Sequence, residues 1–246
     1  MSGNVGTRNA ETREDWVRKA LKMIPAGSRI LDAGAGEQQF RKYCDGLGYV
    51  SQDFAKYDGT GDTSGLQTGT WNNEGLDIIS DITAIPEPDG SFDAILCTEV
   101  FEHIPDPIAA VKEFARLLRP GGILLLTAPF CSLTHFAPFH YYTGFTRYFY
   151  LEILTAAGFE VESIDANGNF FEFVAQELRR VRQIASKYAR PLTRVQAAVL
   201  KVATSVVLRI LSMSSGRDRG SAELLNFGLH VRAVRTAGAA GTSNDT

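Results

Sequence analysis

Three groups of residues in this chain have the types and spacing to do chemistry. The first is Asp32-Ala33-Gly34-Ala35-Gly36, an acid two residues ahead of two closely spaced glycines. Backbone without side chains turns tightly and lets a ligand come close. Phosphate-cradling turns use G-x-G-x-x-G, and here the third glycine position is Gln39, which argues against a pyrophosphate. Asp32 instead offers a carboxylate to a cationic or ammonium-bearing ligand. The second is Asp53, 17 residues beyond Gly36, close to the offset of about 20 at which an acid meets a ribose in such folds. Asp58 competes for that role, and a solvated loop acid is the plain alternative. The third is the stretch from Pro129 to Tyr150, with nine Phe and Tyr residues, His135, His140 and Arg147. Aromatic walls with a few polar groups describe a small-molecule pocket. A histidine there can take a proton from a hydroxyl. His135, His140 and Tyr142 are the candidate catalytic groups, with Tyr141 and Arg147 as further pocket residues. An aromatic mini-core under a loop is the competing reading.

The elements that must position these residues follow from apolar periodicity. Glu11 to Met23 has helical spacing and stops at Pro25-Ala26-Gly27. Strands are predicted at Arg29 to Ala33, Tyr49 to Asp53, Leu76 to Ser80, Ser91 to Cys97 and Ile123 to Thr127. Helical patterns over Phe40 to Asp45 and Ile108 to Leu118 fall between them. Strands separated by helices imply a doubly wound parallel sheet, whose ligands sit at the carboxyl ends of the strands. Lys56 to Gly75 is a long Gly/Thr/Asp loop with one aromatic, Trp71; such loops are functional or disordered, and a lid over the first turn is one reading. Tyr150 to Ala157 is helical, Phe159 to Ile164 is a sixth strand, and Leu224 to Val234 is a seventh, placed at an edge.

Leu31-Asp32-Ala33-Gly34-Ala35-Gly36 resembles the first motif of the class I S-adenosylmethionine-dependent methyltransferases. Phe92 to Pro107 resembles the fourth-strand motif of the small-molecule members of that family. Leu118-Arg119-Pro120-Gly121-Gly122 before an apolar strand, and the helix-Ala-Gly-Phe-strand pattern after it, are similar to the family as well. The resemblance covers residues 25 to 170 well and 222 to 235 in outline. It implies an α/β fold: a doubly wound, seven-stranded Rossmann-like sheet, mostly parallel with an antiparallel last strand, plus a helical insertion before that strand. It implies S-adenosyl-L-methionine as cofactor, held by Asp32, Gly34, Gly36 and Asp53. Asp81 would then lie near the adenine amino group and Ile82 on the ring, although Asp81 also reads as a helix cap. Thr98 and Glu99 would face the methionine half. The implied activity is methyl transfer to a small-molecule acceptor, with a hydroxyl of a sugar, lipid-linked intermediate or metabolite favoured by the His/Tyr-rich stretch. His103 and Glu102 read as structural more readily than catalytic. A nicotinamide-dependent dehydrogenase is disfavoured by the missing glycine. A non-catalytic cofactor-binding domain tethered to a membrane or partner is the alternative.

Composition bounds the rest. The chain reads as one domain, 1–246, with loose tails at 1–10 and 236–246 and a basic helical insertion at 172–221. The first twenty residues are polar and carry no signal-peptide core, so a cytoplasmic location is expected, with the inner face of a membrane as a variant. Cys44, Cys97 and Cys131 lack C-x-x-C spacing, and the four histidines are scattered, so no metal ligand is assigned. Net charge is −3, yet Leu178 to Arg217 holds nine cations and no acid. The helix expected over Leu192 to Met213 places Lys187, Arg190, Arg194, Lys201 and Arg209 in one sector. Peripheral membrane contact or dimerisation through 187–213, or a solvated basic edge, all fit it. One basic helix without a recognised module does not make a nucleic-acid site.

Overall fold

In a computed structural model, residues 4–190 and 192–237 are described. Residues 1–3 and 238–246, and Pro191, where the sequence allows an interruption of the basic helix, lie outside them. The chain divides into two compact units, residues 15–165 with 229–237 and residues 4–14 with 166–228.

The first unit is built on a sheet. Its strands are β1 (Arg29–Ala33), β2 (Gly48–Asp53), β3 (Ile78–Ile79), β4 (Phe92–Thr98), β5 (Leu118–Pro129), β6 (Phe159–Asn167) and β7 (Gly228–Arg235). Their order is β3-β2-β1-β4-β5-β7-β6, parallel except for the β5-β7-β6 edge. Helices α1 (Asn9–Leu21), α2 (Pro107–Leu117) and α3 (Arg147–Ala156) accompany it. Strand alternation builds two cores from one sheet. Leu31, Ile95 and Cys97 pack on one side with Phe101, Phe114 and Leu117. Ile30, Ala94 and Leu96 pack on the other with Val17, Leu21 and Phe40. β1 pairs with β2 on one side and β4 on the other. The chain order reverses there, so the open crevice lies at the carboxyl ends of β1 and β4. α2 starts where Pro107 stands at the first helical position and Asp106 Oδ1 accepts from the Ala109 N–H at 2.9 Å, the expected cap chemistry.

Four elements differ from the sequence reading. The helix expected over Phe40 to Asp45 is a single 3-10 turn, Arg41–Tyr43. Gln38 at φ 56° breaks the run ahead of it, and a helix that short does not recover its nucleation cost. β3 shrinks to two residues, with Ile79 exposed. β5 starts at Leu118, because the Arg-Pro-Gly-Gly turn joins the strand through a register shift against Phe92 and Ala94. β7 is not an edge strand. It lies between β5 and β6 with Leu229, Val231 and Ala233 buried, whereas β6 carries Glu160, Glu162 and Asp165 and takes the edge, where charges blunt further pairing.

The second unit holds α4 (Phe170–Tyr188) and α5 (Arg194–Ser215). Val5, Ala175 and Leu208 form a small core there, flanked by Leu178 and Leu211. Residues 4–8, expected to be loose, are pinned: Val5 is buried, and the Gly6 N–H donates to Glu172 Oε2 at 2.6 Å. Thr193 and Gln196 make a reciprocal capping box at the start of α5, a two-donor solution to the orphan N–H groups. The basic run is split between two helices, with Lys187 on α4 and Arg194, Lys201 and Arg209 on α5. It therefore makes no continuous sector. On α5 the exposed face is an apolar stripe of Val195, Val199, Val202, Val206, Ile210 and Met213. By length and composition α5 could cross a membrane.

Candidate active site at the strand ends

The glycine turn leaves β1 with both glycines in the left-handed region, Gly34 at φ 75° and Gly36 at φ 50°. Each is also crowded. A Cβ on Gly34 would stand 2.5 Å from Val100 Cγ2, and one on Gly36 would stand 2.6 Å from Trp71 Cζ2. Neighbouring strands hold the turn. The Gly34 and Ala35 N–H groups both donate to the Gln52 carbonyl at 2.8 Å. The Gln52 side chain in turn donates to the Ser80 carbonyl at 2.7 Å.

Asp53, at the end of β2, is buried, and its carboxylate is aimed at this turn. Oδ2 accepts from the Gly36 N–H at 3.0 Å and Oδ1 from the Ala55 N–H at 2.9 Å. Each oxygen keeps a second lone pair for a ligand hydroxyl. Asp58 is exposed and bends into its own turn, accepting from Thr60 and Gly61. Asp32 is 1% exposed. Its Oδ2 accepts from the Tyr49 hydroxyl at 2.6 Å, while its Oδ1 is buried without a hydrogen-bond donor. Burial raises its pKa to about 7, against the lowering effect of Tyr49 and with a further rise from Asp53. Such a group gains most from a cation placed beside it. The crowded glycine turn, the aimed Asp53 carboxylate and the donorless Asp32 oxygen fit a ligand with ribose hydroxyls and an ammonium group.

Asp81 lies after β3, where its carboxylate accepts from the Thr83 N–H and hydroxyl at 2.9 and 2.7 Å. Ile82 is buried in the main core. Thr98 ends β4 and is buried; Glu99 follows it at φ 56° and accepts from the Thr127 hydroxyl at 2.9 Å. Left-handed non-glycine residues recur along this edge of the sheet. Gln38, Ala55, Glu99 and Phe136 stand after β1, β2, β4 and β5, respectively, at φ of 55–56°. Backbone strain concentrated at one edge is a mark of functional sites.

The aromatic stretch divides. Phe145 and Tyr150 enter the main core. His135, Phe136, Phe139 and His140 stay at the strand ends. β4 and β5 pair in register through Thr98 and Thr127, so whatever follows β4 meets whatever follows β5. His103, on the 3-10 turn after β4, therefore meets His135 and His140, with ring centroids 4.6 and 5.9 Å away. His135 and His140 are 4.9 Å apart. Tyr142 points elsewhere: its hydroxyl donates to the Pro105 carbonyl at 2.9 Å. Arg147 opens α3 and reaches the Ile164 carbonyl at 3.5 Å, and Tyr141 is exposed. The long loop closes the other side through the Leu66–His135 bridge and the Leu66 N–H, which donates to the Thr134 carbonyl at 2.9 Å. Phe136 stacks on His103 at 5.0 Å and on Tyr57 at 4.3 Å, and Trp71 meets both Tyr57 and Phe136. One aromatic array thus runs from the histidines to the glycine turn. Trp71, Val100 and Phe136 carry no motif signal. Only the long loop's lone tryptophan and the shared strand-end origin of the histidines could have indicated them.

Tautomers follow from partners. Phe139 and Leu133 carbonyls accept from His103 Nδ1 and His135 Nδ1 at 2.6 and 2.9 Å, so both rings carry their proton on Nδ1. Ser132 Oγ donates to the Thr143 carbonyl at 3.0 Å, so it accepts from His140 Nε2 at 3.2 Å. His140 Nδ1 is left as a lone pair. Burial, then His135, lowers the pKa of His103 to about 3. The same two causes hold His140 below its ordinary value. Both imidazoles are neutral at pH 7.

A family model described as a methyltransferase domain matches residues 7–164. The chain belongs to this methyltransferase family. The family's cofactor is S-adenosyl-L-methionine. The ubiquinone biosynthesis O-methyltransferase of Xanthomonas oryzae pv. oryzae (strain PXO99A) is 36% identical to the chain over 121 residues, which is 47% of this chain and 48% of that protein. The chain thus spans about half the length of the curated relatives it matches. Among solved structures, the [4+2]-cyclase SpnF aligns over 96% of the chain and 86% of its own, at a TM-score of 0.56 and 18% identity. A geranyl diphosphate methyltransferase, in complex with GPP and sinefungin, aligns over 92% and 77% at a TM-score of 0.52 and 13% identity. At such identities the structural likenesses speak for the fold alone. A cyclase among them illustrates that a fold hosts more than one chemistry.

Proposed function

We propose that this methyltransferase moves a methyl group from S-adenosyl-L-methionine to a hydroxyl of a small molecule held against the histidine cluster. The observation that supports this reading is the cluster of His103, His135 and His140 in the segments that follow β4 and β5, where Ser132 engages His140 Nε2 and leaves Nδ1 as a lone pair. The O-methyltransferase name of the relatives supports a hydroxyl acceptor. When bound, the cofactor supplies a methyl carbon already activated by its sulfonium. The chain's work is then mostly placement, which accounts for much of such rate enhancement. Asp53 receives the two ribose hydroxyls, and Asp32 faces the ammonium group. Asp81 and Ile82 take the adenine, Thr98 and Glu99 the methionine half. His140 Nδ1 takes the acceptor's proton while Ser132 keeps Nε2–H in place; His135 borders the same space, and Tyr142, given to the Pro105 carbonyl, does not. Trp71 and Phe136 exclude water.

Assays with phenolic, catecholic and sugar hydroxyl acceptors should yield S-adenosylhomocysteine and a singly methylated product with at least one of them. Because His140 works as the neutral form and its pKa is lowered, kcat/KM for the acceptor at saturating cofactor should rise with pH through an apparent value below about 6.5 and stay flat above it. His140→Gln should lower kcat by about 10²- to 10⁴-fold and remove that acidic limb. An acidic limb that persists in His140→Gln would assign the proton elsewhere.

The partner at α5 is proposed as an anionic membrane surface. The exposed valine stripe supplies apolar contact, and the acid-free run from Leu178 to Arg217 supplies cations, the pairing that holds interfacial helices on anionic lipid. Vesicles containing phosphatidylglycerol should sediment the chain at low salt, and phosphatidylcholine vesicles should not. Equal sedimentation by both, or by neither, would remove the membrane from the account.

A further inference from the structure

We propose that Glu102, His103 and His135 bind a divalent transition-metal ion. The sequence presents the histidines as scattered; the β4–β5 pairing brings two of them to one carboxylate. His103 Nε2 lies 3.7 Å and His135 Nε2 3.8 Å from the same atom, Glu102 Oε1. One donor atom from each of the three residues falls within 4.8 Å of the others.

Tautomers make this arrangement informative. Each Nδ1 is committed as a donor to a backbone carbonyl, Phe139 for His103 and Leu133 for His135. In that tautomer each ring turns an Nε2 lone pair toward the same carboxylate oxygen. Three electron-rich atoms converge, and a cation between them turns mutual repulsion into coordination. An Nδ1–H donated to a carbonyl while Nε2 faces inward is the usual outer support of a metal-bound histidine. The Glu102 backbone is pinned beside them: its main-chain carbonyl accepts from the Tyr141 and Tyr142 N–H groups at 2.8 and 3.3 Å, and its side chain is buried. The Leu66 bridge clamps His135 from the other side.

The donor set selects the metal. Two imidazoles and one carboxylate suit Zn²⁺, Co²⁺, Mn²⁺ or Fe²⁺, whereas Mg²⁺ and Ca²⁺ prefer oxygen alone. Zinc-type bonds of about 2.0–2.2 Å put neighbouring ligands roughly 3 to 4 Å apart, a spacing that both histidine–carboxylate pairs already have at 3.7 and 3.8 Å. His140, whose Nε2–H is given to Ser132, stays outside the set. The proposal does not depend on the acceptor being a hydroxyl, because binding is read without turnover.

The test uses the full chain without a polyhistidine tag, stripped with a chelator and titrated with Co²⁺. One equivalent should bind and produce a visible ligand-field band, displaced by one equivalent of Zn²⁺ and untouched by excess Mg²⁺. His135→Ala, in a surface loop, and Glu102→Gln should lose the band and bind Co²⁺ at least about 100-fold more weakly. His140→Ala should keep it, with far-UV circular dichroism verifying that each variant is folded. A wild-type chain with no saturable band, or a band that survives in folded His135→Ala, would overturn the assignment of a metal to this cluster.

Discussion

Replacing Asp53 with alanine should weaken S-adenosylmethionine binding by roughly 10²- to 10⁴-fold. The figure comes from two hydrogen bonds to a charged acceptor, each about 1.5–3 kcal/mol, at about 1.4 kcal/mol per factor of ten. Part of the loss is indirect. The same carboxylate accepts from the Gly36 and Ala55 N–H groups, so its removal also frees the turn proposed to carry the cofactor. Asp53→Asn separates the two contributions. Its single carbonyl oxygen can keep two of the four interactions, and its loss in affinity should fall between wild type and alanine. Calorimetric titration of the three proteins, with thermal unfolding of each, is the measurement. If folded Asp53→Ala binds the cofactor within about threefold of wild type, Asp53 is a structural acid and the ribose lies elsewhere.

Gly34→Ala should cost about 2–5 kcal/mol of stability. A left-handed backbone angle costs a residue with a Cβ about 1–2 kcal/mol, and forcing a methyl into a filled site adds about 1–3. Both conditions hold at Gly34: φ is 75°, and the new Cβ would lie 2.5 Å from Val100 Cγ2. The fall in Tm for a chain of this size is then roughly 5 to 20 °C. Val100→Ala opens space but leaves φ unchanged. The double variant should therefore be more stable than the sum of the two single losses implies, with a coupling of about 0.5–3 kcal/mol. Strict additivity in urea unfolding would show that Val100 does not press on the turn. A null effect of Gly34→Ala would contradict the turn geometry itself.

The parts of the fold readable from the sequence are those governed by local pattern. β1 runs from Arg29 to Ala33 as periodicity predicts, because a buried central strand must be apolar on both faces. β4 and α2 agree to within a residue at each end, each bounded by turn or cap chemistry. Position in the sheet was less accessible. The alternation of Gly228–Arg235 identifies a strand but does not say which neighbours it pairs with, and its burial between β5 and β6 is a tertiary choice. The same limit applies to the site. Asp53 stood out through its offset from the glycines. The convergence of His103, His135 and His140 did not, because 32 residues separate His103 from His135 and only the β4–β5 register joins them. The separate unit of residues 4–14 and 166–228 was hidden for a similar reason. Val5 has no periodic neighbours in sequence, and its partners, Ala175 and Leu208, come from distant helices.

The central claim is that the crevice beside β1 and β4 takes S-adenosylmethionine. Its most direct test is calorimetric titration of the wild-type chain with S-adenosylmethionine, S-adenosylhomocysteine and NADH in parallel. One molecule of each sulfur ligand should bind per chain at micromolar concentration, and NADH should not compete. Saturable binding of NADH alone would contradict the account, and so would a folded chain that binds none of the three.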